Sequence, residues 1–205
     1  GLCLPYFCLL DAWYGTQSSE KRSNFCISNA TNLQELPSAD WIGNVSRYAV
    51  VWQDKRNGSN YGIYGQLVDS TGALSGSSYT VCDSAGDQLE PAVAYNPIPY
   101  ATMRFALVVW TDYRRGLDSA DIYGRFLYSG SPTTTDFAIA KYPGFQNNPQ
   151  VANCGSRYLV VWQDLTLRDT SSIFGRLFTN GGAAIGDTFR ISEPMIANAH
   201  HGRLC

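Results

Sequence analysis

The strongest constraint on the fold is a short motif that the chain repeats. RYAVVWQD at 47–54 returns as RYLVVWQD at 157–164 and, slightly altered, as RFALVVWTD at 104–112. The tryptophans of the three copies, at 52, 110 and 162, lie 58 and 52 residues apart. An aromatic residue and a glycine follow each copy: IYGQL at 63–67, IYGRF at 122–126, IFGRL at 173–177. Such a fixed period is the sequence signature of a repeat architecture.

Two further segments complete the repeat. An apolar run begins at four aromatic residues: Phe25, Tyr79, Phe137, Phe189. A segment of proline, one to two residues and alanine begins at four prolines: Pro37, Pro91, Pro149, Pro194. Val, Ile, Tyr, Phe and Trp dominate these segments, and turn-forming Gly, Asn and Ser clusters separate them. No stretch shows the 3.6-residue apolar period of a helix, so the chain is predicted to be all-β.

Four strand-like segments per repeat, with radial repetition, predict a four-bladed β-propeller with four-stranded antiparallel blades. The 205 residues suit a single domain. Its repeat units are approximately 1–36, 37–90, 91–148 and 149–193, with 194–205 completing the first blade. The first tryptophan strand is degraded to YFCLLDAW, so we expect both chain ends to complete that blade. A strand from a neighbouring chain is the alternative, and it would build a filament.

Two segments resemble a known repeat family. VVWQDKRNGSNYGIYGQLVDSTGAL at 50–74 and VVWTDYRRGLDSADIYGRFL at 108–127 are similar to the V-V-W-x-D-x-R-x-G-x-x-D-I-Y-G-Q repeats of bacterial and archaeal extracellular proteins. The resemblance extends from Phe25 to Ser192. It implies propeller blades on secreted or cell-surface proteins and transfers no catalytic residue. The third copy departs from the pattern, because DLTLRDTSSIFG at 164–175 lacks the R-x-G turn.

Cysteines and sequons indicate an extracellular or cell-surface location. The six cysteines have no C-x-x-C spacing and are predicted to form disulfides: Cys3, Cys8, Cys26, Cys82, Cys154, Cys205. We expect Cys205 to bond Cys3 or Cys8. Three sequons offer glycosylation sites: Asn29, Asn44, Asn57. The net charge of -2 indicates no nucleic-acid partner, and the apolar opening is too short to span a bilayer.

The repeated polar and aromatic residues are assigned structural roles. Asp54, Asp112 and Asp164 each follow an apolar strand, where a carboxylate caps a turn. Trp52, Trp110 and Trp162 are expected to pack between blades. Aromatic residues outside the repeat core are candidates for stacking on sugar rings: Trp41, Tyr95, Tyr100, Tyr113, Tyr142.

The sequence therefore predicts a non-catalytic extracellular structural or binding module. It is not expected to be an enzyme, or to need a cofactor or a metal, and its partners are other copies of itself or glycans. A lectin-like propeller that uses the loop aromatics is the first alternative. A glycoside hydrolase is the second, and it requires two unlike carboxylates near one mouth of the ring.

Overall fold

The structure, a computed structural model, describes six stretches of the chain: 25–43, 45–97, 106–128, 131–132, 135–167 and 170–192. These residues form three antiparallel sheets and contain no helix. The prediction of an all-β chain is confirmed for this part of the protein. No helix long and apolar enough to cross a membrane occurs among the described residues.

Thirteen strands make up the three sheets. The first sheet contains β1 (Gln34–Ile42), β2 (Arg47–Asp54), β3 (Gly62–Asp69) and β4 (Leu74–Cys82). The second contains β5 (Gln88–Tyr95), β6 (Ala106–Asp112) and β7 (Asp121–Tyr128), with β8 (Ser131–Pro132) and β9 (Phe137–Ala140) both paired to β7. The third contains β10 (Gln146–Asn153), β11 (Arg157–Leu167), β12 (Thr170–Thr179) and β13 (Ala184–Arg190).

The first strands of the three sheets lie next to one another. Strand β5 contacts β1, and β10 contacts β5. Strands β5 and β10 also pack across the preceding sheet. Strand β5 contacts β2 and β3, and β10 contacts β6 and β7. The sheets are thus stacked face to face like the blades of a propeller, with β1, β5 and β10 as the inner strands.

Apolar side chains fill the space between consecutive sheets. Between the first and second sheets lie Val51, Ile63 and Val81 on one side and Val108 and Trp110 on the other. A second cluster joins the other face of the second sheet to the third: Leu107, Val109, Ile122, Phe126, Ile139, Tyr158, Val160, Trp162, Phe178. Alternation along the strands places successive side chains on opposite faces, which is why each central strand serves two interfaces.

Arginines on the third strands link each sheet to the one before it. Arg125 on β7 donates from Nη1 to the carbonyl oxygen of Val81 on β4, at 2.7 Å. Arg176 on β12 donates in the same way to the carbonyl oxygen of Ile139 on β9, at 3.2 Å. Both acceptors lie on the outer strand of the preceding sheet, so these bonds hold the outer parts of the sheets together.

The described part of the chain forms three sheets, and a closed ring of four blades is not seen within it. The three sheets, at 34–82, 88–140 and 146–190, overlap the predicted units at 37–90, 91–148 and 149–193, and each begins three residues before its unit. Residues 1–24 and 193–205, from which the predicted first blade was to be built, lie outside the described residues.

Candidate functional site

A recurring backbone distortion marks the start of each inner strand. The pairing with the second strand shifts register between Glu35 and Ser38, and equivalent shifts occur in β5 and β10. In each bulge the residue before the proline has a positive φ: Leu36 at 50°, Glu90 at 56° and Asn148 at 51°. The left-handed backbone conformation that these φ values indicate costs a non-glycine residue on the order of 1–2 kcal/mol. All three distortions lie at the same end of the adjacent inner strands.

On the first sheet this end carries an exposed carboxylate. Oε2 of Glu35 accepts hydrogen bonds from Nε2 of Gln53, at 3.1 Å, and from the hydroxyl of Tyr61, at 3.0 Å. Partial burial, together with this bond to Glu35, raises the pKa of Tyr61. Gln53 itself is buried, so its amide presents a fixed donor to the carboxylate.

A second carboxylate lies on the neighbouring sheet. The backbone N–H of Glu90 donates to Oε1 of Gln53, at 3.1 Å, so one amide contacts both glutamates. Oε2 of Glu90 accepts from the hydroxyl of Thr111, at 2.7 Å, and from the backbone N–H of Asn148 on the third sheet, at 2.8 Å. The Glu90 side chain therefore joins the bulges of the second and third sheets.

On the third sheet the network continues through amides. Nδ2 of Asn148 donates to Oε1 of Gln163, at 3.2 Å, and Nε2 of Gln163 donates to the hydroxyl of Ser171, at 2.8 Å. We call the connected surface the polar mouth, and it comprises seven residues: Glu35, Gln53, Tyr61, Glu90, Thr111, Asn148, Gln163. It offers two carboxylates, three amides and two hydroxyls, which is the donor and acceptor chemistry that hydroxyl-rich ligands bind.

The repeated aspartates lie elsewhere and are fully engaged. Oδ2 of Asp54 accepts from Nε1 of Trp52, at 2.8 Å, and from Nη2 of Arg56, at 2.6 Å. Oδ1 accepts the backbone N–H of Arg56, at 2.8 Å, which is the turn cap that the sequence predicts. The guanidinium also covers Tyr64, with its carbon 3.8 Å from the ring centroid.

We call these contacts the Trp–Asp–Arg unit. The second sheet repeats the unit, and the third sheet has a different arrangement in its place. Asp112 accepts from Trp110 and Arg114, both at Oδ2, at 2.8 and 2.7 Å. In the third sheet, which lacks the R-x-G turn, the indole N–H of Trp162 donates to the hydroxyl of Tyr142, at 3.2 Å. That hydroxyl also bonds Asp164. The hydroxyl of Tyr142, from a different loop, thus takes the place that an arginine side chain has beside the aspartate in the first two sheets.

The aromatic candidates for sugar stacking are dispersed. Trp41 and Tyr95 lie at the opposite ends of β1 and β5 from the polar mouth, and both approach Gly43. Tyr113 follows β6 on the side of the polar mouth and is half-buried. Tyr142 packs against the core cluster of the second and third sheets. Tyr100 lies outside the described residues. Of the four described aromatic residues, the structure therefore brings only Trp41 and Tyr95 close to each other.

The predicted disulfide and glycosylation positions are partly described. No disulfide joins Cys26, Cys82 and Cys154, the cysteines within the described ranges. Cys82 is buried and Cys154 is exposed in the turn after β10. Positions outside these ranges are Cys3, Cys8, Cys205 and Asn44. Asn29 and Asn57 are exposed, and Nδ2 of Asn57 donates to Asp83 at 2.7 Å.

Sequence reasoning missed the polar mouth. The sequence interpretation rests on positions that are identical in every repeat, and it assigns no functional role to the seven residues of the polar mouth. The signal lay in positions that differ: the residue before the proline is Leu36, Glu90 and Asn148 in turn. The residue between tryptophan and aspartate is Gln53, Thr111 and Gln163. Variation at equivalent places on a fixed scaffold is typical of binding sites.

Comparison with solved structures gives the fold a known relative. One similar structure is a thermostable family-43 glycoside hydrolase, with a TM-score of 0.55 and 10% identity over 82% of this chain and 57% of that one. This chain shares the fold of that glycoside hydrolase. A second is the endo-arabinase of Bacteroides thetaiotaomicron, with a TM-score of 0.52 and 11% identity over 78% of this chain and 61% of the other. The chain spans about three fifths of the length of these structures.

No protein-family model matches the chain, and no curated protein matches it significantly. The structural likeness nevertheless corrects one prediction. The expectation that the chain is not an enzyme is wrong as argued, because the similar structures are glycoside hydrolases. That expectation rested on the repeated aspartates, and Asp54 and Asp112 are indeed engaged by tryptophan and arginine side chains.

Proposed function

We propose that this chain is a carbohydrate-active protein of the glycoside hydrolase type, with its sugar site at the polar mouth. The observation that carries the proposal is that the buried amide of Gln53 donates to the carboxylate of Glu35 and accepts the backbone N–H of Glu90. Glycoside hydrolases use two carboxyl groups beside the glycosidic bond. One protonates the leaving oxygen, and the other attacks the sugar or takes a proton from the attacking water.

The surroundings of the two glutamates support this assignment. Glu35 is exposed, whereas Glu90 is half-buried beneath Thr111 and Asn148, so the two carboxylates are unlike. The two carboxyl groups of a glycoside hydrolase have different roles, and these two glutamates differ in exposure and in hydrogen-bond partners. The amides of Gln53, Asn148 and Gln163 are already oriented by their own hydrogen bonds, and a sugar would lose little free energy in ordering them.

The proposed substrate class is a polysaccharide, with arabinan as the first candidate. The support is the likeness to the endo-arabinase structure together with the exposure of Glu35 at the polar mouth. A polymer needs such an accessible surface, because the scissile bond lies within a long chain.

The test is the release of reducing ends from arabinan, xylan, galactan and β-glucan by the purified chain. Glu35→Gln and Glu90→Gln keep the side-chain shape but remove the carboxylate. We expect cleavage of at least one polymer, with a loss of about 100-fold or more in each variant. The matched control is Asp187→Asn, an exposed carboxylate on β13. Absence of cleavage across the panel, or equal rates in all variants, would overturn the proposal.

We also propose that the three sheets belong to a ring of four blades. The support is the sequence repeat, which places the aromatic–glycine segment WYG at 13–15, before the first sheet. Intact mass with and without reductant tests the accompanying bond of Cys205 to Cys3 or Cys8. The extracellular location stays a prediction from the cysteines and the family resemblance.

A further inference from the structure

One face of the third sheet exposes apolar side chains whose counterparts in the other sheets are buried or half-buried. Ile173 is 37% exposed, Phe189 is 41% exposed and Ile191 is 53% exposed. We call these three residues the open face. In the first sheet the residues equivalent to Ile173 and Ile191 are Ile63 and Val81, and both are 0% exposed.

The equivalence is structural as well as sequential. In the first sheet the ring of Tyr79 lies over Gly65, where an added Cβ would meet it at 2.7 Å. In the third sheet Phe189 and Ile191 lie over Gly175 in the same way, at 3.2 and 3.1 Å. The open face therefore has the arrangement of a surface that packs against a following sheet.

The two equivalent faces show what such a surface packs against. In the first sheet, Ile63 and Val81 share a cluster with Trp110 and Tyr123 of the second. In the second sheet, Ile122 and Ile139 share a cluster with Val160 and Trp162 of the third. The partner is each time another sheet of the same repeat, so the open face continues a series of two interfaces within this chain.

The other end of the stack indicates which segment supplies that partner. The outer face of the first sheet carries Val50, Trp52, Tyr64 and Val68, all less than 10% exposed, with Ile27 packed against them. The first described residues of the chain therefore lie against the outer face of the first sheet. The 24 preceding residues extend to about 80 Å at most, so they can reach the third sheet.

We propose that residues 1–24 of this same chain cover the open face of the third sheet. The segment contains WYG at 13–15, the counterpart of the aromatic–glycine pairs in β3, β7 and β12. The proposal deepens the four-blade proposal by naming the surface and its occupant. It does not depend on the carbohydrate site, so each can fail without the other.

The test is site-specific photo-cross-linking of the full chain. A photoreactive benzoylphenylalanine replaces Phe189 in one variant and Phe137 in another. Phe137 is the matched control, because it is the equivalent residue of the second sheet and its ring lies 5.9 Å from Phe178 of the third. Cross-linked peptides are identified by mass spectrometry after separation of monomers from dimers.

The probe at 137 is expected to cross-link to peptides of the third sheet. The probe at 189 is expected to cross-link to a peptide within residues 1–24, in material of monomer mass. A cross-linked dimer would show that a second copy covers the open face, and would overturn the proposal. It is equally overturned if the probe at 137 reacts and the probe at 189 reacts with nothing in residues 1–24.

Discussion

Oε1 of Gln53 accepts the backbone N–H of Glu90 at 3.1 Å. A buried side chain of the first sheet thereby holds the positive-φ bulge of the second. Its other amide atom donates to Glu35. The carboxylate of Glu35 and the backbone of Glu90 are thus both held by one glutamine, so a change of Gln53 is expected to affect stability and function together.

Gln53→Ala is expected to lower both stability and sugar binding. The substitution leaves the N–H of Glu90 and the carboxylate of Glu35 without this partner, at a cost of about 1–3 kcal/mol in the free energy of unfolding. Urea denaturation and calorimetric titration with an oligosaccharide measure the two effects.

Gln66→Ala provides the control for Gln53. Gln66 is 2% exposed and bonds the carbonyl oxygens of Leu67, Ser75 and Gly76, away from the polar mouth. It is expected to lower stability by a similar amount and to leave sugar affinity unchanged. An equal loss of affinity in both variants would show that binding merely follows stability.

Asp54→Ala is expected to destabilise the fold by about 2–3 kcal/mol without affecting the sugar site. The carboxylate is buried and accepts hydrogen bonds from Trp52 and Arg56. Removal of one member of a buried ion pair leaves the other charge without its partner, and this costs more free energy than the intact pair contributes to stability. The figure lies below that for a fully buried pair because the Arg56 side chain is 22% exposed.

The control for Asp54 is the exposed turn carboxylate Asp69. Its Oδ1 accepts the backbone N–H groups of Thr71 and Ala73, and these bonds, with that of the Thr71 hydroxyl, lower the pKa of Asp69. Asp69→Ala is expected to cost clearly less than Asp54→Ala in the same denaturation experiment. Equal losses would contradict the assignment of the Trp–Asp–Arg unit as the larger contribution.

Removal of the hydroxyl group is expected to have different effects on stability at two tyrosines. Tyr142→Phe leaves Trp162 without its hydroxyl partner and is predicted to cost about 1–2 kcal/mol. The hydroxyl of Tyr158 is buried and has no partner among the described residues, so Tyr158→Phe is predicted to be neutral or stabilising. Thermal unfolding of both variants checks the contrast.

The buried tyrosines also predict a loss of stability at alkaline pH. Burial raises the pKa of Tyr79 and of Tyr158. Their contribution is fully present below the unfolded value of about 10 and is lost as the pH rises above it, because only the unfolded chain releases these protons. Urea midpoints between pH 8 and 11 should fall, and Tyr158→Phe should reduce the slope. A parallel slope in the variant would count against this origin.

The sequence was sufficient to predict an all-β fold, but it was insufficient for the site, and the ring of four blades stays a proposal. A motif that repeats tryptophan and aspartate at fixed places reports packing and turn capping, and the structure places Trp110 and Asp112 in those roles. The bulge that presents Glu90 is a distortion of the backbone, with a positive φ and a shift in strand register. The residue before the proline marks its position in the sequence but does not reveal this geometry. Tyr142 was equally out of reach, because its contact with Trp162 depends on how two loops meet in space.

The most direct test of the central claim is a crystal structure of the chain soaked with an arabino-oligosaccharide. The account predicts sugar density at the polar mouth, within hydrogen-bond distance of Glu35 and Glu90. Density only at the opposite end of the inner strands, stacked on Trp41 or Tyr95, would contradict it.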